Sequence, residues 1–256
     1  MATSSGPGLT GPGKVVVAIL VMLPLLACLS EEGGKQIRTL IVTGCDVASH
    51  PWRETTPAIR KVLEDTKKFE VYVCEDPAIL ESKEALDKYA LIVLNYFNYR
   101  APTISDKAKE NLAAFATGGK GFVAFHLSSA SFSEWDEFHK MVGRWWVMGT
   151  SGHGPRGKFT VNIVDKEDAI SKGMSDFEAD DELYAKLLGE GPIHVLVSAY
   201  SDWSKKVEPL AFTLSYGKGR VYHHCFGHDA KAVEHAPVAR LLARGAEWAA
   251  TGGVSD

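Results

Sequence analysis

From residue 37 onward, short β-branched runs alternate with amphipathic segments, the pattern of a parallel sheet wrapped by helices. IRTLIVT (37–43) predicts a first strand and FEVYVCE (69–75) a second. Between them TTPAIRKVLEDTKK (55–68) predicts a helix, with Thr56 as its cap, Pro57 at the first helical position, and Ile59, Val62 and Leu63 on one face. An acidic helix over 82–89 leads to ALIVLNY (90–96), a continuous apolar run of the kind a central strand covered on both faces requires. A helix with Ala108, Leu112 and Phe115 in one stripe stops at Thr117-Gly118-Gly119, and GFVAF (121–125) returns to the sheet. A further helix is predicted over 133–143, with Trp135, Phe138 and Val142 on one side.

Beyond that point the texture changes. KFTVNIVD (158–165), PIHVLVSAY (192–200) and PLAFTLSYGKGRVYHHCF (209–226) read as strands with tighter connections, YGKGR being a hairpin turn, before a last amphipathic helix over 237–250. The expected architecture is α/β: a mostly parallel sheet with an antiparallel extension. DDELYAKL (180–187) is read as a helical or turn segment, in which Asp181 and Tyr184 share a face and Glu182 points elsewhere.

The chain begins differently. Residues 1–13 carry no charge, and VVVAILVMLPLLA (15–27) is wholly apolar, too short to span a bilayer but suited to the core of a secretory signal. Residues 1–28 are therefore expected to be a signal peptide and the protein to be exported to the periplasm, the cell surface or the medium. Leu25-Leu26-Ala27-Cys28 resembles a lipoprotein box, with Leu26 in place of a small residue, so lipidation at Cys28 and plain cleavage both remain open. A polar linker follows over 29–36, and the folded domain is expected over 37–253. With 28 Lys and Arg against 32 Asp and Glu and no basic stripe among aromatics, nucleic acid is excluded as an expected partner. Cys45, Cys74 and Cys225 have no CxxC spacing and end apolar runs, which predicts free thiols, at least two of them buried.

In an open parallel sheet, ligands sit beyond the carboxyl ends of the strands. Strand one runs into a loop with Asp46, His50 and Trp52; strand three ends with Asn95, Tyr96, Asn98 and Arg100; strand four ends on His126. His153 lies between glycines, and the last strand ends on His228 and Asp229. His223 and His224 alternate in a strand, so at most one can face the rim, and both are read as structural. The acid/base candidates are His126, His228 and Asp181. The substrate-binding candidates are His50, Trp52, Tyr96, His153, Glu182, Tyr184 and Asp229. Aromatic faces can stack on sugar rings, and the amide, acid and imidazole groups can bind hydroxyls. His126, His153 and His228 could instead collect a divalent metal such as zinc. A GxGxxG fingerprint is absent after strand one, so a tightly held NAD is not expected.

SHPWRETTPAIRKVL (49–63), AFHLSS (124–129), DELY (181–184) and YGKGRVYHHCFGHD (216–229) followed by LLARGAEWAA (241–250) resemble the ThuA-like, or trehalose utilisation, family, over nearly all of 37–250. The resemblance implies a flavodoxin-like, class I glutamine amidotransferase-like three-layer sandwich and a role in the metabolism of disaccharides or keto-sugars, with a small carbohydrate as partner. Where glutamine amidotransferases carry a cysteine elbow this chain has Phe125-His126-Leu127-Ser128, so thiol-dependent amide hydrolysis is not expected. DKEDAI (165–170) replaces a His-Pro common in the family after the KFTVNIV strand. Two alternatives stand beside a sugar-modifying enzyme: a sugar-binding module without catalysis, and a metal-dependent hydrolase.

Overall fold

The computed structural model describes residues 1, 2, 4–6, 8 and 35–255, so the predicted leader, Cys28 and most of the linker lie outside the described residues. No helix among the described residues is long and apolar enough to cross a membrane.

Within the unit formed by 34–256, nine strands make one sheet in the order β2-β1-β3-β4-β9-β8-β7-β5-β6. β1 (Ile37–Val42), β2 (Phe69–Cys74), β3 (Leu91–Leu94), β4 (Gly121–Phe125) and β9 (Gly219–His224) are parallel. β5 (Gly157–Ile163), β6 (Phe177–Asp181), β7 (His194–Ser201) and β8 (Lys206–Tyr216) extend the sheet with antiparallel pairings. The expected parallel core with an antiparallel extension is what the chain forms.

Strand alternation splits the interior into two cores. Ile41, Val93, Val123 and Tyr222 pack against Ile59 and Leu63 of α1 (Trp52–Asp65) and Leu241, Leu242 and Ala246 of α6 (Ala236–Thr251). Leu40, Val42, Ile92, Leu94 and Phe122 face the other way, onto Leu112 and Phe115 of α3 (Asp106–Thr117) and Phe138 of α4 (Asp136–Val142). Adjacent residues on one strand thus serve opposite layers, which is why the central strands read as unbroken apolar runs.

Three local expectations are corrected. The first helix begins at Trp52, with Pro51 at its cap, and takes Pro57 inside it. Thr56 is no cap because its hydroxyl is bonded to Thr43 Oγ1 (3.1 Å) and approached by Asn95 Nδ2 (2.9 Å), tertiary bonds that tie α1 to the ends of β1 and β3. The acidic helix over 82–89 is a 3₁₀ turn, Pro77–Glu81, followed by a four-residue α2 (Lys83–Leu86). Of the three cysteines among the described residues, all free, only Cys225 is fully buried; Cys45, in the loop after β1, and Cys74, at the end of β2, are partly exposed.

β9 buries two histidines back to back. His223 lies 2.9 Å from the Val142 carbonyl oxygen through Nδ1, and His224 Nδ1 lies 2.9 Å from the Tyr222 hydroxyl, so both serve packing on opposite faces of the strand. Burial pushes His223 down to about 4 and His224 down to about 3. Because both values lie below that of an unfolded histidine, the unfolded chain takes up these protons first. The stability they carry is whole above about pH 6.5 and declines as pH falls toward 4 and then 3. Denaturant titrations at pH 7 and pH 5 are expected to differ by about 2 kcal/mol for each histidine, in favour of pH 7. A His224→Phe variant with an unchanged pH slope would refute this account.

Candidate functional site

β1 lies between β2 and β3, so the chain leaves its carboxyl end one way and returns the other, opening a crevice there. Into that crevice the loop after β1 places His50. The turn after β4 places His126, whose backbone takes the left-handed region at φ 43°, a conformation costing a non-glycine residue about 1–3 kcal/mol. His126 opens a 3₁₀ turn, His126–Ala130, directly beyond the carboxyl end of β4.

The turn after β9 carries Gly227 and His228. Gly227 has φ 117°, and a Cβ there would stand 2.2 Å from the Phe125 ring, so only glycine lets the chain turn here. Asp181, at the end of β6, fixes that turn: its carboxylate accepts from the backbone N–H of Gly227 (2.7 Å), His228 (3.2 Å) and Glu182 (2.8 Å).

Glu182 is the hub. Its Oε2 lies 3.3 Å from His50 Nε2 and 3.6 Å from His126 Nε2, and its Oε1 lies 3.1 Å from His228 Nδ1 and 3.4 Å from His153 Nε2. The ligating atoms of His50, His126, Glu182 and His228 all fall within 4.8 Å of one another. Burial works to raise the Glu182 carboxyl, but the surrounding imidazoles of His126, His228 and His50 outweigh it and hold the group well below the usual carboxylate range. His50 is lowered by burial, against the pull of Glu182, whereas His228 is raised by its hydrogen bond to Glu182.

Two imidazoles have a fixed orientation. His126 Nδ1 lies 2.7 Å from the Cys225 carbonyl oxygen and His153 Nδ1 2.6 Å from that of Gly154, so each Nδ1 donates its N–H to a carbonyl and each ring turns Nε2 toward Glu182. Tyr184 stacks on His126 with ring centroids 4.3 Å apart and sets its hydroxyl 3.0 Å from His126 Nε2. Burial, reinforced by Glu182, keeps that phenol well above its ordinary value, so Tyr184 is a donor.

A cleft of about 320 Å³ opens onto the cluster, lined by His50, His153, Glu182 and Tyr184 and walled by Phe97, Tyr99 and Trp146. A narrow recess of about 20 Å³, also lined by His50 and Phe97, reaches Trp52, Tyr96 and His126. A larger cavity of about 620 Å³, bounded by Glu178, Asp180, Lys231 and His235 among others, has no comparable convergence of imidazoles.

The residues singled out from sequence therefore divide. His50, His126, His153, Glu182, Tyr184 and His228 meet at one point. Trp52 and Tyr96 are nearly buried at the recess, Trp52 giving its indole N–H to Asp46 (2.7 Å), and are not open stacking faces. Asp229 stands apart, capping α5 (Ala230–Glu234) through Ala232 N–H and pairing with Arg156 at 2.8 Å. Asp181 does not fit an acid/base role: both of its oxygens are spent on backbone N–H groups, and it is 1% exposed. The segment is strand and extended chain, not helix, so side chains alternate and Glu182 turns in with Tyr184. The predicted trio for a metal, His126, His153 and His228, is replaced by His50, His126 and His228 with Glu182. Phe97 and Trp146 were not anticipated; the unbroken aromatic runs Tyr96-Phe97 and Trp145-Trp146 were their only signal.

A model of the family described as trehalose utilisation, ThuA, matches residues 38–249. A ThuA-like protein of Parabacteroides merdae is 28% identical with a TM-score of 0.77, the match covering 87% of this chain and 92% of that one. A ThuA-like protein of Bacteroides uniformis shares the fold at 19% identity and a TM-score of 0.66, covering 85% of this chain and 94% of that one. A β-galactosidase of Rahnella shares the fold in part, at 18% identity and a TM-score of 0.56, the match covering 82% of this chain but 31% of that one. A search of curated proteins finds no match. The family model spans both halves of the sheet and every residue of the histidine cluster, and the chain belongs to the ThuA family.

Proposed function

We propose that this protein is an enzyme of carbohydrate metabolism, exported by its leader, that polarises a hydroxyl or carbonyl oxygen of a disaccharide or keto-sugar and moves a proton there. The observation that carries the reading is the convergence of four imidazoles on the buried carboxylate of Glu182 at the floor of an aromatic-walled cleft. Buried polar groups are costly unless they are used or satisfied, and ring faces such as Trp146 and Tyr184 beside hydroxyl-binding groups suit a sugar. Family membership supports the substrate class. His153 is the side chain suited to exchange a proton with substrate, since it lines the cleft and is the most exposed of the four histidines, at 31%.

The test is a panel of disaccharides and their keto derivatives, with binding followed by calorimetry and products by chromatography. Saturable binding with turnover is expected, and His153→Ala should lower turnover by about 10²–10⁴-fold with little loss of binding. Saturable binding without product would instead make the domain a sugar-binding module; binding to no member of the panel would remove the reading.

A further inference from the structure

We propose that His50, His126, His228 and Glu182 form the binding site of one divalent transition-metal ion, the chemical class of zinc or cobalt. The proposal deepens the reading above and rests on it only for the use made of the cation, as the group that polarises the sugar oxygen.

The first argument is distance. Zinc lies about 2.0–2.1 Å from imidazole nitrogen and carboxylate oxygen, so neighbouring ligands in a tetrahedron stand about 3.3 Å apart. The three histidine nitrogens lie 3.3, 3.6 and 3.1 Å from the Glu182 oxygens. The four donors need only small side-chain adjustment to enclose an ion.

The second argument is the direction of the imidazole nitrogens. His126 is committed through Nδ1 to the Cys225 carbonyl, which directs Nε2 toward Glu182 at 3.6 Å, beyond hydrogen-bond reach. A divalent cation held between that nitrogen and the carboxylate would be bound by both. A carbonyl behind a ligating histidine is the arrangement that orients such a ligand and strengthens it as a donor. Tyr184 sets its hydroxyl 3.0 Å from His126 Nε2, and an ion ligated by that nitrogen would free the hydroxyl to face the cleft.

The third argument is burial and access. Exposure of the His126 side chain is 2% and of Glu182 7%, against 14% for His50 and 17% for His228, so the site is closed behind and reachable from one side. His50 and Glu182 line the cleft, so a fifth position beyond the four protein ligands opens to water or a sugar oxygen. Three imidazoles and a single carboxylate favour a borderline-soft ion over magnesium or calcium, which prefer sites built from oxygen.

The experiment uses the full chain, stripped with chelator, dialysed and titrated with Co²⁺ and Zn²⁺ in the absence of carbohydrate. One equivalent of Co²⁺ per chain is expected, with the intense visible absorption of four- or five-coordinate cobalt, displaced by one equivalent of Zn²⁺. His50→Ala and His228→Ala, at the more exposed ligands, should each weaken binding by about 100-fold or more. The wild-type spectrum decides independently of whether a variant folds: faint, six-coordinate absorption, or no binding, overturns the proposal. So does affinity unchanged in both variants. Stripped protein that takes up no metal yet turns over a sugar removes the metal centre and leaves the carbohydrate reading standing. Stoichiometric metal uptake with no carbohydrate bound or converted does the reverse.

Discussion

Glu182→Gln is expected to reduce carbohydrate turnover by about 10³-fold while leaving the fold in place. The substitution keeps the length of the side chain and removes only its charge, so the packing of Tyr184 against His126 and of Trp146 against Tyr184 is undisturbed. What is lost is the anion toward which four imidazoles point, at 3.1 to 3.6 Å. Without it the carboxylate nearest the four rings is gone, and an amide N–H₂ can stand where an acceptor oxygen stood. A proton transfer or an ion-polarised oxygen both depend on that charge, so the prediction holds for either mechanism. Measured as kcat/KM beside near-ultraviolet circular dichroism, a variant with native dichroism and activity within about tenfold of wild type would show Glu182 to be a structural anion only. Glu182→Asp, which withdraws the oxygens by one methylene, should fall between the two.

How far such a site can be seen before the structure depends on which physical signal each residue leaves in the sequence. β3 and β4 were legible because strands buried on both faces become unbroken apolar runs, as in Leu91–Leu94. The strand-end rule then located His50, His126 and His228 without contacts being known, since connectivity alone brings the ends of β1, β4 and β9 to one rim. The segment at 177–184 was not legible in the same way. β6 is a short edge strand in which exposed acids alternate with Ala179 and Asp181, and apolar periodicity cannot register a buried position occupied by aspartate. Read with a helical period, Asp181 pairs with Tyr184; read with a period of two, Glu182 does, and the chain takes the second option because β5 supplies ladder bonds as far as Asp181. The start of α1 escaped for a related reason: Thr56 looks like a cap locally, but its hydroxyl is bonded across the fold to Thr43 and Asn95. Local sequence preference is overridden where tertiary hydrogen bonds compete for the same atoms.

Asp181→Ala is expected to be the most destabilising single change near the site, by about 3 kcal/mol or more, and to act on catalysis only through position. The Asp181 carboxylate accepts from the N–H groups of Glu182, Gly227 and His228 in a place water hardly reaches. Truncation leaves three backbone donors without the acceptor they share, and a charged acceptor is worth about 1.5–3 kcal/mol per bond. Asp181→Asn keeps one carbonyl oxygen but turns an N–H₂ toward one of the donors, so roughly half of the loss should remain. Because the same carboxylate holds the turn that presents His228 and the first peptide of the segment that presents Glu182, loosening it separates two of the four converging groups. Activity assayed well below the melting transition should therefore drop in Asp181→Ala. A shared fall of stability and activity in Asp181→Ala, set against a fall of activity alone in Glu182→Gln, distinguishes the carboxylate that builds the site from the one that works in it. An unfolding free energy for Asp181→Ala within about 1 kcal/mol of wild type would mean that the β9 turn holds its shape without this anchor, and Asp181 would not be the carboxylate that builds the site.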